Sequence, residues 1–234
     1  MKKIEQKINE LGEKMMRDPM WRKLGDIDCD SKNGIIPRGL YYDESKTDSP
    51  KNIIIIGLNP GRSRGKEMDD PKKYKDYKSV VKYWRETPKV YDYKYFFEPL
   101  RNLMRKAGMT GSILWTNLVP CQNKKDNRKG PSTKTIRYSV NTYLKRQVEL
   151  MPKAPIIAVG KVAFKLLAYM FFDRKIIGIT HPAPTNRPAA RKAYGPPISQ
   201  QLVHLVKSEL EKQNKDAINF VYSKKENKFL AQTD

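Results

Sequence analysis

Four short apolar runs restrict this chain more than any other feature. They are Asn52-Ile53-Ile54-Ile55-Ile56-Gly57, Ser112-Ile113-Leu114-Trp115-Thr116-Asn117-Leu118, Ala154-Pro155-Ile156-Ile157-Ala158-Val159-Gly160 and Lys175-Ile176-Ile177-Gly178-Ile179-Thr180. Each is rich in β-branched residues and nearly continuous in its hydrophobicity, which suits a strand buried on both faces. Helical apolar spacing appears between them, at 93–107, 134–150 and 161–172, and again after the last at 197–213. Such alternation predicts an α/β fold with a four-stranded parallel sheet, flanking helices and right-handed crossovers. Ligands of such sheets bind beyond the carboxyl ends of the strands, so the residues that follow each run are the candidates for function.

Ahead of the first run, Ile4, Ile8, Leu11 and Met15 recur at helical spacing, which predicts an amphipathic helix over 3–16. Residues 17–50 are polar and irregular and read as the rest of a lead-in wrapped over the main domain. With 234 residues, one domain is expected over 1–234, with 1–50 as the lead-in and 223–234 as a charged tail. Forty-seven Lys and Arg against 25 Asp and Glu give a net charge of +22, which favours an anionic partner, nucleic acid first. Cys29 and Cys121 are the only cysteines and have no CxxC spacing, which argues against a disulfide framework or a zinc or iron–sulfur site. No apolar stretch approaches the roughly 20 residues of a membrane span. Charges interrupt Met1-Lys2-Lys3-Ile4-Glu5, so no signal-peptide core is expected either, and the chain reads as soluble and intracellular.

Three strand ends hold polar groups suited to chemistry. After the first run come Gly57-Leu58-Asn59-Pro60-Gly61 and then Arg62, Arg64 and Lys66. A phosphate-binding P-loop would need four residues between its glycines and a Ser or Thr after the Lys. Here only three separate Gly61 from Gly65-Lys66, and Glu67 follows, so an ATPase reading fails. At the end of the second run, Asn117 offers one acceptor and two donors, enough to pair with the amide-like edge of a pyrimidine. The fourth run leads into His181-Pro182-Ala183-Pro184-Thr185-Asn186, which contains one of two histidines; the other, His204, reads as an ordinary helix residue. Taken one at a time, each segment also fits an ordinary turn closing a strand.

Together, the three segments resemble the active-site motifs of the uracil-DNA glycosylase superfamily. Gly57-Leu58-Asn59-Pro60-Gly61 is similar to its first motif and His181-Pro182-Ala183-Pro184 to its second. The likeness runs over roughly residues 53–210 and is closest to the single-strand-selective monofunctional enzymes, which share the middle segment seen here as Asn117-Leu118-Val119-Pro120. Phe96-Phe97 and Ala158-Val159-Gly160-Lys161 are also similar to those enzymes. The resemblance implies a three-layer sandwich around the four-stranded sheet and hydrolysis of the N-glycosidic bond of uracil in DNA. Other deaminated or oxidised bases are further substrates, and an abasic site remains.

Carried onto this sequence, the resemblance makes Asn59 the residue that holds the attacking water and His181 the one that stabilises the departing base. Asn117 reads the base, Gly57 and Leu58 supply backbone contacts, and Tyr74, with Tyr77 as second choice, stacks on it. Arg62, Arg64, Lys124, Lys125, Arg128, Lys129, Pro182, Pro184, Thr185, Arg187 and Arg191 are the expected DNA contacts. Ala183 stands where a serine is usual, and Thr185 where a longer basic wedge is usual. No metal or cofactor is required, DNA of single- or double-stranded form is the partner, and the protein is expected to be a monomer. Its setting would be cytoplasmic or nucleoid-associated, or nuclear in a eukaryote. The alternative is a catalytically silent nucleic-acid-binding module on the same fold.

Overall fold

A computed structural model describes residues 2–29, 35–47, 49–60, 76–86, 96–124, 130–182, 193–194, 198–212 and 218–220. The chain divides into two compact units, one made of Met1–Glu44, Ile56–Glu86 and Ile113–Lys153, the other of Ser45–Ile55, Thr87–Ser112 and Ala154–Asp234.

In the first unit the lead-in is built structure. Helix α1 (Lys2–Arg17) buries Ile8 and Met15 as its spacing predicts. Asp18 then accepts from the Met20 amide at 2.9 Å and starts a single turn, α2 (Met20–Lys23). Buried Trp21 donates from Nε1 to the Met15 carbonyl at 2.9 Å and packs edge-on against Tyr138 and stacked on Tyr143. Strand β1 (Ile27–Asp28) follows, then β2 (Tyr41–Asp43). Helix α3 (Tyr77–Glu86), unforeseen in the sequence, begins on a fully buried tyrosine. The Tyr77 hydroxyl donates to the Leu40 carbonyl at 2.6 Å, and its ring fills the space a side chain at Gly12 would need.

Strand β3 (Ile53–Gly57) is shared by the two units, while β4 (Ile113–Asn117) and β5 (Gln122–Asn123) lie in the first. β2 pairs antiparallel with β4, setting Tyr41 opposite Trp115 and Asp43 opposite Ile113. β1 pairs antiparallel with β5 as a separate two-stranded ladder. The helical region expected over 134–150 is α5 (Thr133–Ser139), a π turn over Val140–Leu144 and α6 (Lys145–Glu149). Buried Gln147, just after the π turn, accepts from Thr116 Oγ1 at 2.6 Å and donates to Met15 Sδ at 3.5 Å, so β4 and α1 meet through one side chain.

The second unit contains α4 (Glu98–Lys106), β6 (Ile156–Val159), α7 (Lys161–Met170), β7 (Ile176–Ile179), α8 (Gln200–Glu211) and β8 (Ile218–Phe220). β7 pairs in parallel with β6 and with β8. Ile53 to Ile56 and every residue of β6 and β7 are buried, as the apolar runs require. Each such isoleucine contributes about 1.5–3 kcal/mol relative to an exposed one.

The four expected strands are all present, but the sheet is larger and mixed. Its strand order is β2-β4-β3-β6-β7-β8, with an antiparallel strand at one edge and a short parallel one at the other. Both additions are only three residues long, below the length at which alternation or a β-branched run becomes visible. Among the described residues no helix is long and apolar enough to cross a membrane.

Candidate active site

In the first unit, the segments after β3 and β4 run side by side. The Leu118 amide donates to the Gly57 carbonyl at 2.8 Å, and the Val119 amide to the Leu58 carbonyl at 2.9 Å. This lacing continues the ladder one step past each strand and sets the Gly57-Leu58-Asn59 turn against Asn117-Leu118-Val119. The carbonyls of Gly57 and Leu58 each accept one hydrogen bond across this lacing.

Asn59, partly buried, donates from Nδ2 to Asn123 Oδ1 at 3.0 Å, with a longer approach to the Pro60 carbonyl. Its Oδ1 takes no hydrogen bond from another described residue. Asn117 donates from Nδ2 to the Arg38 carbonyl at 3.4 Å, and its Oδ1 is likewise unengaged among the described residues. Two carboxamides are therefore anchored by their nitrogen ends, each with an oxygen able to accept a hydrogen bond from a ligand or water.

Residues outside the recognised motifs do the anchoring. Asn123 sits on β5 opposite Ile27 of β1, a pairing that no local signal reveals. Arg38 is buried; its amide donates to the Pro120 carbonyl at 2.8 Å, and its guanidinium reaches Gln122 Oε1 at 3.3 Å. Gln122 in turn donates to Asp28 Oδ2 at 3.3 Å. The only sequence signal for this support was Gly39, whose φ of +96° suits glycine. Beside it, burial pushes the Cys121 thiol well up, and neighbouring Cys29 adds to the rise. Both cysteines are buried free thiols.

His181 belongs to the second unit, where β7 delivers it, exposed, just beyond its carboxyl end. Its ring centroid lies 5.2 Å from that of Phe96, which in turn packs edge-on against Phe97 at 5.4 Å. The preceding residue is fixed by buried Tyr194, whose hydroxyl donates to the Thr180 carbonyl at 2.6 Å. An imidazole is thus presented to solvent with one side packed on a phenyl ring.

One expectation needs correction. Tyr77 cannot stack on a base, because it is a core residue of the first unit whose hydroxyl burial pushes far above the usual tyrosine range. Pro182, which follows His181, is buried. Lys124 is exposed, as a phosphate contact must be. Tyr74, Arg62, Arg64, Lys125, Arg128, Lys129, Pro184, Thr185, Arg187 and Arg191 lie outside the described residues, as does Ala183.

Comparison with known families matches residues 45–202, about two thirds of the chain, to the uracil DNA glycosylase superfamily. The chain belongs to that superfamily. Among curated proteins, none matches it.

Proposed function

We propose that this member of the uracil DNA glycosylase superfamily is a monofunctional DNA glycosylase that hydrolyses the N-glycosidic bond of uracil. The observation that carries the reading is the lacing of the Asn59 and Asn117 segments, which places two nitrogen-anchored carboxamides on adjoining turns. Other deaminated or oxidised bases come within its range where they present the same hydrogen-bonding edge. The likeness to single-strand-selective enzymes makes single-stranded DNA the first substrate to try.

The chemistry follows from what these groups can do. A base inside a duplex must be extruded, at a cost of a few kcal/mol in lost stacking. As the glycosidic bond lengthens, the sugar becomes cationic and the base anionic. A hydrogen bond aimed at the base oxygen is therefore worth more in the transition state than in the ground state. His181 supplies that donor, and a neutral imidazole suffices. An amide does not take up protons near neutrality, so Asn59 acts by orienting: Oδ1 accepts from a water and turns its lone pair toward the sugar carbon. Asn117 reads the base edge. No lysine is assigned an imine, so the strand stays intact and an abasic site remains.

Phosphate binding falls to the positive surface, with Lys124, Lys125, Arg128, Lys129, Arg62, Arg64, Pro184, Thr185, Arg187 and Arg191 as the proposed contacts. Binding should weaken steeply with added salt, as counterion release requires. The direct test is incubation with an oligonucleotide containing one uracil, followed by alkali to cleave abasic sites. Cleavage by the wild type that is lost in Asn59→Ala is the expected result. Absence of product from uracil, hypoxanthine and xanthine in both strand contexts would establish a silent binding module instead.

A further inference from the structure

The base-reading asparagine is held by a segment that precedes the family match. Arg38, Gly39 and Leu40 all lie before residue 45. They are nevertheless fastened around Asn117. The Arg38 carbonyl accepts from Asn117 Nδ2 at 3.4 Å, and the Arg38 amide donates to the Pro120 carbonyl at 2.8 Å. Its guanidinium reaches Gln122 Oε1 at 3.3 Å, and the Leu40 carbonyl accepts from buried Tyr77 at 2.6 Å. The segment is tied at four points, so its carbonyl at Arg38 is a fixed acceptor.

Gly39 makes the approach possible. It has a φ of +96°, and a Cβ built on it would lie 2.1 Å from Asn117 Nδ2. The carboxamide lies directly against backbone that carries no side chain.

On the functional reading above, we infer that residues 36–40 form a specificity clamp, in which the Arg38 carbonyl fixes the orientation of the Asn117 carboxamide and Gly39 leaves room for it. One hydrogen of Nδ2 goes to Arg38, leaving the other hydrogen and Oδ1 for a base. Uracil presents an acceptor at O4 beside a donor at N3 and matches both. Cytosine presents a donor at N4 beside a bare N3 and opposes both. Matching cytosine would require the carboxamide to turn over. That turn breaks the bond to Arg38 and sets Oδ1 against the carbonyl oxygen, acceptor against acceptor. Sites that discriminate by hydrogen bonds reject mismatched analogues far more strongly than apolar pockets do. Gly39 and Arg38 are positioning residues, acting through Asn117.

The test compares wild type, Gly39→Ala, Gly39→Asn and Gly108→Ala. Gly108 also has a positive φ, +85°, but a Cβ there meets nothing within 4 Å, so its variant reports backbone strain alone. Gly39→Asn tolerates positive φ better than alanine and keeps the added Cβ, which covers the case in which Gly39→Ala fails to fold. kcat and KM are measured on single-stranded oligonucleotides carrying one uracil or one cytosine target, and the Asn117 side-chain NH2 resonances are followed in each protein. The Gly39 variants should lose roughly tenfold or more in kcat/KM on uracil, as one misplaced hydrogen-bond pair implies. Their uracil-to-cytosine ratio should narrow and the Asn117 resonances should shift, whereas Gly108→Ala should show none of these changes. Gly39 variants with wild-type kinetics, ratio and resonances would overturn the clamp. A wild type that releases no base would overturn the functional reading instead, and the Asn117 resonances would then decide the clamp alone: unmoved in Gly39→Asn, they refute it.

Discussion

The Asn59 carboxamide is held by the side chain of Asn123, Nδ2 to Oδ1 across 3.0 Å. This bond determines which end of Asn59 is available to water, so Asn123→Ala should let the carboxamide turn. Single-turnover base release should fall by about 10- to 100-fold with little change in KM, the scale on which small misplacements of a reacting group are felt. An unaltered single-turnover rate would show that Asn59 needs no such support.

His181 and Phe96 should behave as a coupled pair. Removing a donor that stabilises developing charge costs on the order of 10²–10³ in kcat, which is the expectation for His181→Ala. Phe96→Ala removes only the packed side of the imidazole, 5.2 Å between centroids, and should cost less. The double variant should be no worse than His181→Ala, because the phenyl ring has nothing left to position. Multiplicative losses would mean that Phe96 acts elsewhere.

Gly12 tests the packing of the lead-in. In a helix, Gly→Ala ordinarily gains about 1 kcal/mol. Here the new Cβ would stand 2.0–2.4 Å from the Tyr77 ring, which is buried and has no room to withdraw. Overpacking of this kind costs about 1–3 kcal/mol or more and should outweigh the propensity gain. Tyr77→Phe leaves the Leu40 carbonyl without its donor and should cost about 1–3 kcal/mol. Urea denaturation measures both, and a stabilised Gly12→Ala protein would contradict the arrangement.

Asp26 links the turn before α5 to β1, and its effect depends on pH. Burial alone would raise its carboxyl, but hydrogen bonds from Ser132 and Thr135 outweigh that and hold it below its ordinary 3.8. A depressed carboxylate stabilises the fold at neutral pH, and that contribution is lost as pH falls through the folded value. Asp26→Asn should therefore be less stable than wild type at pH 7, with the gap closing as pH drops below 3.8. A gap that persists in acid would assign the loss to geometry and not to charge.

How far the sequence could be read depended on whether a signal was local. The runs at 53–57, 113–117, 156–159 and 176–179 advertise themselves because strands buried on both faces need unbroken apolar residues. Asn59, Asn117 and His181 stood out because they lie at or just past the ends of such runs. Asn123 did not, since its role depends on β1 and β5 pairing across almost a hundred positions. Tyr77 was misread for the same reason: its burial is created by Gly12 and Leu40, both far away in the chain. The π turn at Val140–Leu144 lies inside the stretch read as one helix over 134–150, and no glycine or proline there marks it.

The antiparallel pairing of Tyr41–Asp43 with Ile113–Trp115 bears on how this protein can be dissected. A fragment trimmed to the family boundary at residue 45 would strip that ribbon away and leave the row of amides and carbonyls along Ile113–Trp115 open to solvent. Bare edges of that kind invite neighbouring molecules to add their own strands. A piece of this chain that keeps the edge covered therefore begins upstream of Tyr41, outside the stretch matched by the family.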